Sequence, residues 1–362
     1  MKILFCYYLP SGGTETLNRQ REKALKLVNL ESHFLYLQTG SGINNGLHSN
    51  VFITNDNKEI KLLIEREDYA AIIVNSDAHL LKRIRTFGYK GPLIFESQGL
   101  GTKREATKFL KFTAKENINR YSDALLYPKT AHLQQLMNEI FQNKKQYSIH
   151  NCIDTDVFSF KNKVKLPHEI IIGWVGRIEQ NKNWKACLLI TKRLFMHYPH
   201  LQLWLFIDDT LTTQNEKRKF EYTLQQLRLE NVVHIHSNIP HHEMPNYYSK
   251  IAKSGGFLLS TSLTEGFGYA VLEALCCQCP VLTSDSDGIK SFVFHNVTGK
   301  IYSQGNINEA FHEAIELISN TTLRKKLINQ GTSYVKKYFS LQNYAKEFQA
   351  MLKEVVLSTN IE

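Results

Sequence analysis

A chain of 362 residues is longer than one hydrophobic core usually grows, so two domains of ordinary size are expected. With 43% hydrophobic and 22% charged residues, and with glycine and proline scattered, the composition excludes a disordered, collagen-like or low-complexity chain. The formal net charge of +10 bears on partners and not on fold, and no repeat of fixed period argues for a solenoid or propeller.

The amino terminus, MKILFCYYLPSGG, carries one lysine and an apolar run that stops at Pro10. That run is too short for a signal-peptide core with its cleavage site, and it predicts a first strand. Apolar runs at Lys2–Tyr8, His33–Leu37, Ala70–Asn75, Pro92–Glu96, Ala124–Tyr127 and Gln146–Ile149 then alternate with amphipathic helical stretches. This alternation is the pattern of a parallel sheet covered by helices. Between the fourth and fifth runs, Lys103, Arg104, Lys108, Lys111, Lys115 and Arg120 interleave with Phe109, Leu110 and Phe112. Two readings fit this basic segment, 103–120: peripheral contact with an anionic membrane, or a solvated helix whose lysine stems lie along its apolar side. No nucleic-acid motif accompanies the charge, so nucleic acid is not an expected partner.

Periodicity is lost from Asn151 and restarts at Glu169. The expected division is a first domain over 1–155, a linker over 156–168, a second domain over 169–340 and a terminal segment over 341–362 that returns to the first domain as a helix. Strands of the second domain are expected at Glu169–Gly176, Leu201–Ile207, Asn231–His236, Phe257–Ser260 and Pro280–Ser284. The fold class is therefore α/β, two tandem Rossmann-like domains, with ligands expected in a cleft at the carboxyl ends of the strands. No run of about 18 uncharged apolar residues predicts a membrane span. Cys6, Cys152 and Cys187 are isolated, and Cys276, Cys277 and Cys279 are too close together for a disulfide framework. A cytoplasmic protein is expected, peripheral at the inner membrane face on the first reading of the basic segment.

Two stretches carry chemistry. In STSLTEGFGYAVLEALCCQCPVLTS, Ser260–Ser284, a buried strand leads through a glycine turn into a helix, with Glu265 before the helix and Glu273 inside it. Gly266 and Gly268 allow close backbone approach, and the N–H groups of a helix start attract an anion. Carboxylates flanking a bound phosphate make sense only where they bond neutral hydroxyls, and a nucleoside diphosphate sugar has hydroxyls on both sides of its phosphates. In GWVGRIEQNKNW, Gly173–Trp184, a strand delivers Arg177 and Lys182, two cations able to hold a diphosphate and stabilise the charge of its departure.

With these motifs the chain resembles the retaining glycosyltransferases of family 4, which have the GT-B fold with the active site between two Rossmann-like domains. Glu265 and Glu273 meet its pattern of two glutamates separated by seven residues, and Gly176, Arg177 and Lys182 meet its glycine-arginine-lysine pattern. Weaker echoes are Gly12-Gly13 after the first strand, Asn151–Asp154, Pro280-Val281, Val297–Gly299 and the closing FSLQNYAKEF. The resemblance implies catalytic roles for Glu265 at the donor sugar and for Arg177 and Lys182 at the diphosphate. It implies donor-binding roles for Glu273 at the ribose, for the backbone at Gly266, Phe267 and Gly268, and for Gly12 and Gly13 from the first domain. It further implies a UDP-linked hexose or N-acetylhexosamine donor, no cofactor or metal, and a hydroxyl acceptor in cell-surface polysaccharide, a lipid-linked glycan or protein.

Gln98 stands where many relatives have histidine, and a neutral amide at that donor-sugar position cannot take a proton. Asp287–Ser291 lacks the glutamate of the family's Gly-Gly-x-Pro-Glu loop. The remaining candidates read as structural or exposed. Cys276, Cys277 and Cys279 are expected to pack between helix and strand, His234 and His236 to serve the fold, and His241 and His242 to be exposed. Asp154 with Asp156, Asp208 with Asp209, and Asp285 with Asp287 resemble metal-binding carboxylate pairs, and the last, near the expected cleft, has no clear third ligand. A catalytically silent subunit that binds a partner transferase or a glycan is the alternative of a different class. A dinucleotide-dependent oxidoreductase requires a Gly-x-Gly-x-x-Gly fingerprint that LPSGGTET does not supply.

Overall fold

The computed structural model describes the backbone of residues 1–40, 42, 50–209 and 212–359, and the side chains of all of these but the last two. Residues 360–362, the end of the expected terminal segment, lie outside the described residues. The chain divides into two compact units, Met1–Asp154 together with the segment from Tyr338 onward, and Thr155–Lys337. Each is a parallel sheet covered by helices, so the chain is a pair of Rossmann-like domains.

In the first unit the strands are β1 (Lys2–Tyr7), β2 (Glu31–Tyr36), β3 (Val51–Ile53), β4 (Ala71–Asn75), β5 (Leu93–Glu96), β6 (Ala124–Tyr127) and β7 (Lys145–Ser148). They lie in the order β3-β2-β1-β4-β5-β6-β7, all parallel. Helices cover both faces of such a sheet, which explains why Ala71–Asn75 is buried at every position. The terminal helix Leu341–Thr359 packs on the helix Gly12–Lys26, with the Phe348 ring 5.9 Å from that of Phe5. Beside them Arg21 and Glu96, each 1% exposed, form a two-pronged ion pair with N–O distances of 2.6 and 3.0 Å. The Arg21 guanidinium lies over the Phe5 ring at 4.5 Å.

The second unit contains β8 (Ile170–Val175), β9 (Leu201–Ile207), β10 (Val233–Ser237), β11 (Phe257–Ser260), β12 (Val281–Ser284) and β13 (Lys300–Tyr302), in the order β10-β9-β8-β11-β12-β13. From β8 the chain moves outward to β9 and β10 and then crosses to β11 on the other side. The carboxyl ends of β8 and β11 therefore flank the reversal of strand order, where open sheets of this kind bind ligands. In the first unit the same reversal falls between β1 and β4. Residues 156–168, expected as a linker, are fastened to the second unit. The Lys161 N–H donates to Ser249 Oγ at 2.9 Å, and Lys253 Nζ donates to the carbonyls of Asn162 and Val164 at 2.5 and 2.9 Å.

Replacing Glu96 with Ala strands the Arg21 guanidinium in an enclosed site, a change that costs about 3–5 kcal/mol in buried pairs. Urea unfolding of the Glu96→Ala protein is expected to show a loss of that order. An unchanged midpoint would mean that the pair does not hold the first unit together.

Candidate functional site

Beyond β8 the chain makes a short 3-10 turn, Gln180–Lys182, and beyond β11 it runs through Thr261–Gly268 before the helix Tyr269–Cys276. Asn181 ties these two loops together. Its carbonyl accepts from the Leu263 N–H at 2.8 Å, its side-chain amide donates to Thr264 O at 3.0 Å, and its Oδ1 accepts from the Thr264 N–H at 3.1 Å. Thr261 Oγ1 adds a bond to Lys182 O at 2.8 Å and itself accepts from the Trp174 indole at 3.0 Å.

This splint brings Lys182 Nζ within 2.6 Å of Glu265 Oε1, which also accepts from Ser262 Oγ at 2.7 Å. The two residues for which separate roles are expected thus face each other directly, both partly enclosed. Arg177, 48% exposed, pairs with Glu179 at 3.0 Å. Glu273 is only 6% exposed, and both of its oxygens are engaged: His241 Nε2 stands 2.8 Å from Oε1 and Tyr248 donates to Oε2 at 2.9 Å. The expectation that His241 is exposed is therefore wrong. Its ring packs against Phe158 at 5.0 Å and its nitrogen is turned to the carboxylate, because a buried carboxylate needs donors. Burial first, and the Glu273 charge second, hold the Tyr248 hydroxyl well above the usual tyrosine range.

The backbone between the glutamates is set by two glycines. Gly268 caps the helix with φ +90°, in the left-handed region that side chains rarely adopt. Gly288, in the turn Asp287–Ser291, donates to Glu265 O at 3.1 Å, and a Cβ there would stand 2.5 Å from that oxygen and 2.6 Å from the Gly266 carbonyl. The turn that lacks the family's glutamate thus still buttresses the Glu265 loop. Phe267 sends its ring inward against Tyr269 and Phe292, leaving its backbone on the loop. Cys276, Cys277 and Cys279 are buried as expected, and desolvation raises the Cys279 thiol to about 12. Among the described residues no group of three or more His, Cys, Asp or Glu side chains converges as a metal site requires. Asp285 instead faces Lys290 at 2.5 Å. His236 stacks on Phe206 at 5.1 Å, whereas His234, expected to serve the fold, points to solvent.

In the first unit Gly12 and Gly13 open the helix after β1 and are exposed, Gly12 with φ +63°. Gln98 has both ends of its amide engaged. It donates to Glu96 Oε1 at 2.8 Å, and its own oxygen accepts from Asn151 at 2.8 Å. The basic segment is helical but not uniform: Lys103–Lys108 is α, Phe109–Ala114 is a π turn and Lys115–Tyr121 is α again. Ala106, Leu110, Ala114 and Ile118, four apart, are buried. Phe112 is turned out and 82% exposed, beside a groove of about 500 Å³ lined by Lys103, Arg104, Thr107, Lys108 and Phe112. No helix among the described residues is long and apolar enough to cross a membrane.

The fold and the crevice at β8 and β11 define the class: two Rossmann-like domains in the arrangement of elements of GT-B glycosyltransferases. The crystal structure of Anabaena HepE in complex with UDP-glucose matches over 98% of this chain and 100% of its own, at a TM-score of 0.82 and 16% identity. Residues 156–334 match the family model of the glycosyl transferases group 1, so the second unit is a domain of that family. An uncharacterised glycosyltransferase of Methanocaldococcus jannaschii is 29% identical over 116 residues, 31% of this chain and 33% of its own. An N-acetylgalactosaminyltransferase of Campylobacter jejuni, named for a diphospho-undecaprenol-linked substrate, is 23% identical over 285 residues, 75% of this chain and 72% of its own. Of two curated relatives, the archaeal one among them, the chain spans a third or less.

Asn181, Ser262, His241 and Tyr248 escape a reading by motif. The last two share no periodicity either, since His241 lies in the 3-10 turn His241–Glu243 and Tyr248 in the helix Met244–Lys253 that follows it. Gly288→Ala is expected to push the Glu265 loop aside at a cost of about 1–3 kcal/mol, the usual range for overpacking. Thermal unfolding reads the loss. An unshifted melting temperature would mean that the backbone contact is dispensable.

Proposed function

We propose that the chain is a retaining glycosyltransferase of family 4 that transfers a hexose or N-acetylhexosamine from a UDP-linked donor to a hydroxyl acceptor. The observation that carries this reading is the apposition of Lys182 and Glu265 at 2.6 Å across the β8–β11 crevice, with Glu273 held eight residues further along. In the donor complex the diphosphate takes Lys182 and Arg177 as its counter-charges, and a sugar hydroxyl replaces Lys182 at Glu265. Glu273 takes the ribose hydroxyls. The first-turn N–H groups of the helix Tyr269–Cys276, with the backbone of Gly266, Phe267 and Gly268, cap the phosphate or the sugar. Gly12 and Gly13, at the start of the first unit's helix Gly12–Lys26, are assigned to the donor phosphates on the family resemblance alone.

In the transfer step the bond from the anomeric carbon to the diphosphate oxygen breaks, and the acceptor oxygen bonds that carbon from the same face. The acceptor's proton passes to the departing phosphate oxygen. No enzymic nucleophile and no divalent ion is required, because Arg177 and Lys182 stabilise the developing charge. Gln98, its amide bonded at both ends to the side chains of Glu96 and Asn151, has its own backbone left to meet the donor sugar. HepE holds UDP-glucose, and the Campylobacter relative is named for N-acetylgalactosamine and a diphospho-undecaprenol-linked substrate. Both support the donor class. The acceptor is a hydroxyl of cell-surface polysaccharide, a lipid-linked glycan or protein.

UDP is expected to raise the melting temperature of the full chain, since a ligand of the native state alone stabilises it. Arg177→Ala and Glu273→Ala are each expected to lower sugar transfer by about 100-fold, the effect of losing one preorganised charge contact. The anomeric configuration of the product, read by NMR, should match that of the donor. A double variant with full activity, or an inverted product, overturns the proposal.

The enzyme is also proposed to be cytoplasmic and to meet the inner face of the membrane through the basic segment. The π turn is what supports this, because it exposes Phe112 among lysines, an apolar anchor within a cationic field. Sedimentation with phosphatidylglycerol vesicles is expected to carry the protein down at low salt, and Phe112→Ser to weaken that binding. Equal recovery with purely zwitterionic vesicles would leave the segment as a solvated helix.

A further inference from the structure

Glu273 lies on the helix Tyr269–Cys276, while its two partners come from a neighbouring element. His241 belongs to the 3-10 turn His241–Glu243, and Tyr248 to the helix Met244–Lys253 that follows it. The two are placed differently. Tyr248 has no exposed surface, and with its hydroxyl held far above the usual range it remains an O–H donor throughout the physiological pH range. His241 is 27% exposed and packed on Phe158, so its ring lies at the solvent edge of the carboxylate.

An ionised carboxylate offers about four acceptor positions on two oxygens. Here one position on each oxygen is taken, by His241 at 2.8 Å and by Tyr248 at 2.9 Å. Tethered through both oxygens, the group cannot swing about its terminal torsion, and its remaining lone pairs keep one direction. Two fixed acceptor positions on adjacent oxygens match the two O–H donors of a vicinal diol. A donor site organised before binding gains affinity because less ordering is required on association.

The geometry points to His241 and Tyr248 as positioning residues that make the site discriminate a ribonucleotide from one lacking its ribose hydroxyls. This rests on the proposed contact of Glu273 with the ribose. Neither residue need touch the nucleotide, and both act through the direction in which they hold the carboxylate.

Calorimetric binding of UDP and of 2′,3′-dideoxy-UDP to the full chain tests this inference. The unaltered protein is expected to favour UDP. His241→Ala and Tyr248→Phe should each lower UDP affinity about tenfold, the effect of losing one hydrogen bond to a charged group. Both variants should leave dideoxy-UDP binding unchanged, so that the preference shrinks, and His241→Gln, which keeps a donor, should restore part of it. A preference that survives in both variants overturns the inference, whether the two affinities fall together or not at all. If the unaltered protein binds the two nucleotides equally, or binds neither, the ribose contact itself is wrong. Tyr248→Phe keeps the buried ring and His241→Gln keeps a polar side chain, so the measurement survives if His241→Ala does not fold.

Discussion

The bonds of Asn181 are the constraint on which the second unit's crevice depends. Parallel strands deliver their loops to one end of the sheet, but nothing in a parallel sheet fixes one loop against the next. Here a single residue makes three hydrogen bonds to Leu263 and Thr264 across the reversal of strand order. The residues that follow these positions, Lys182 and Glu265, are thereby apposed at 2.6 Å. Gly288 fixes the same loop from its other side, through its bond to Glu265 O. The ion pair is thus a result of backbone bonds around it. It does not have to hold the loops together by itself, and it is therefore free to exchange partners.

The sheets were legible because parallel strands covered on both faces leave continuous apolar runs, as AIIVN at β4 and FLLS at β11 do. The two strands that left no such trace are three residues long. In β13 the signal is further masked by Lys300, which is fully buried and paired with Glu313 and Glu316 of the following helix. A charged letter ordinarily marks the surface, and only its partners, 13 and 16 residues onward, permit it inside. The glutamate pair and the glycine-arginine-lysine motif were legible by spacing. What orients them was not, since Asn181 bonds across 83 positions and His241 across 32. Hydrogen bonds of that span leave no periodicity to read.

In the first unit the departure at Gln98 has a physical counterpart in the buried ion pair. Glu96 accepts both prongs of Arg21, and a further donor, the Gln98 amide, bonds the same Oε1 at 2.8 Å. Enclosed charge of this kind requires its lone pairs to be satisfied, and an amide supplies a donor without adding charge. The amide oxygen then holds Asn151, near the end of the first unit's stretch Met1–Asp154. A residue that is unusual as a sugar contact is thus well suited to satisfying a buried carboxylate.

Electrostatic balance then separates the two cations of the crevice. Lys182 is partly enclosed and already neutralised by Glu265, whereas Arg177 stands half exposed against Glu179. An exposed pair is worth little in water, so on the proposed reading Arg177 leaves Glu179 for a diphosphate at small cost. Lys182 gives up a shorter and less solvated bond, and Glu265 must then find another donor within the same space. A sugar hydroxyl supplies one only when the whole donor is bound. On the proposed reading, nucleotide alone recruits Arg177, but the exchange at Lys182 requires the sugar. The proposed mechanism thereby couples the charge that stabilises the departing diphosphate to the presence of the group that is to be transferred.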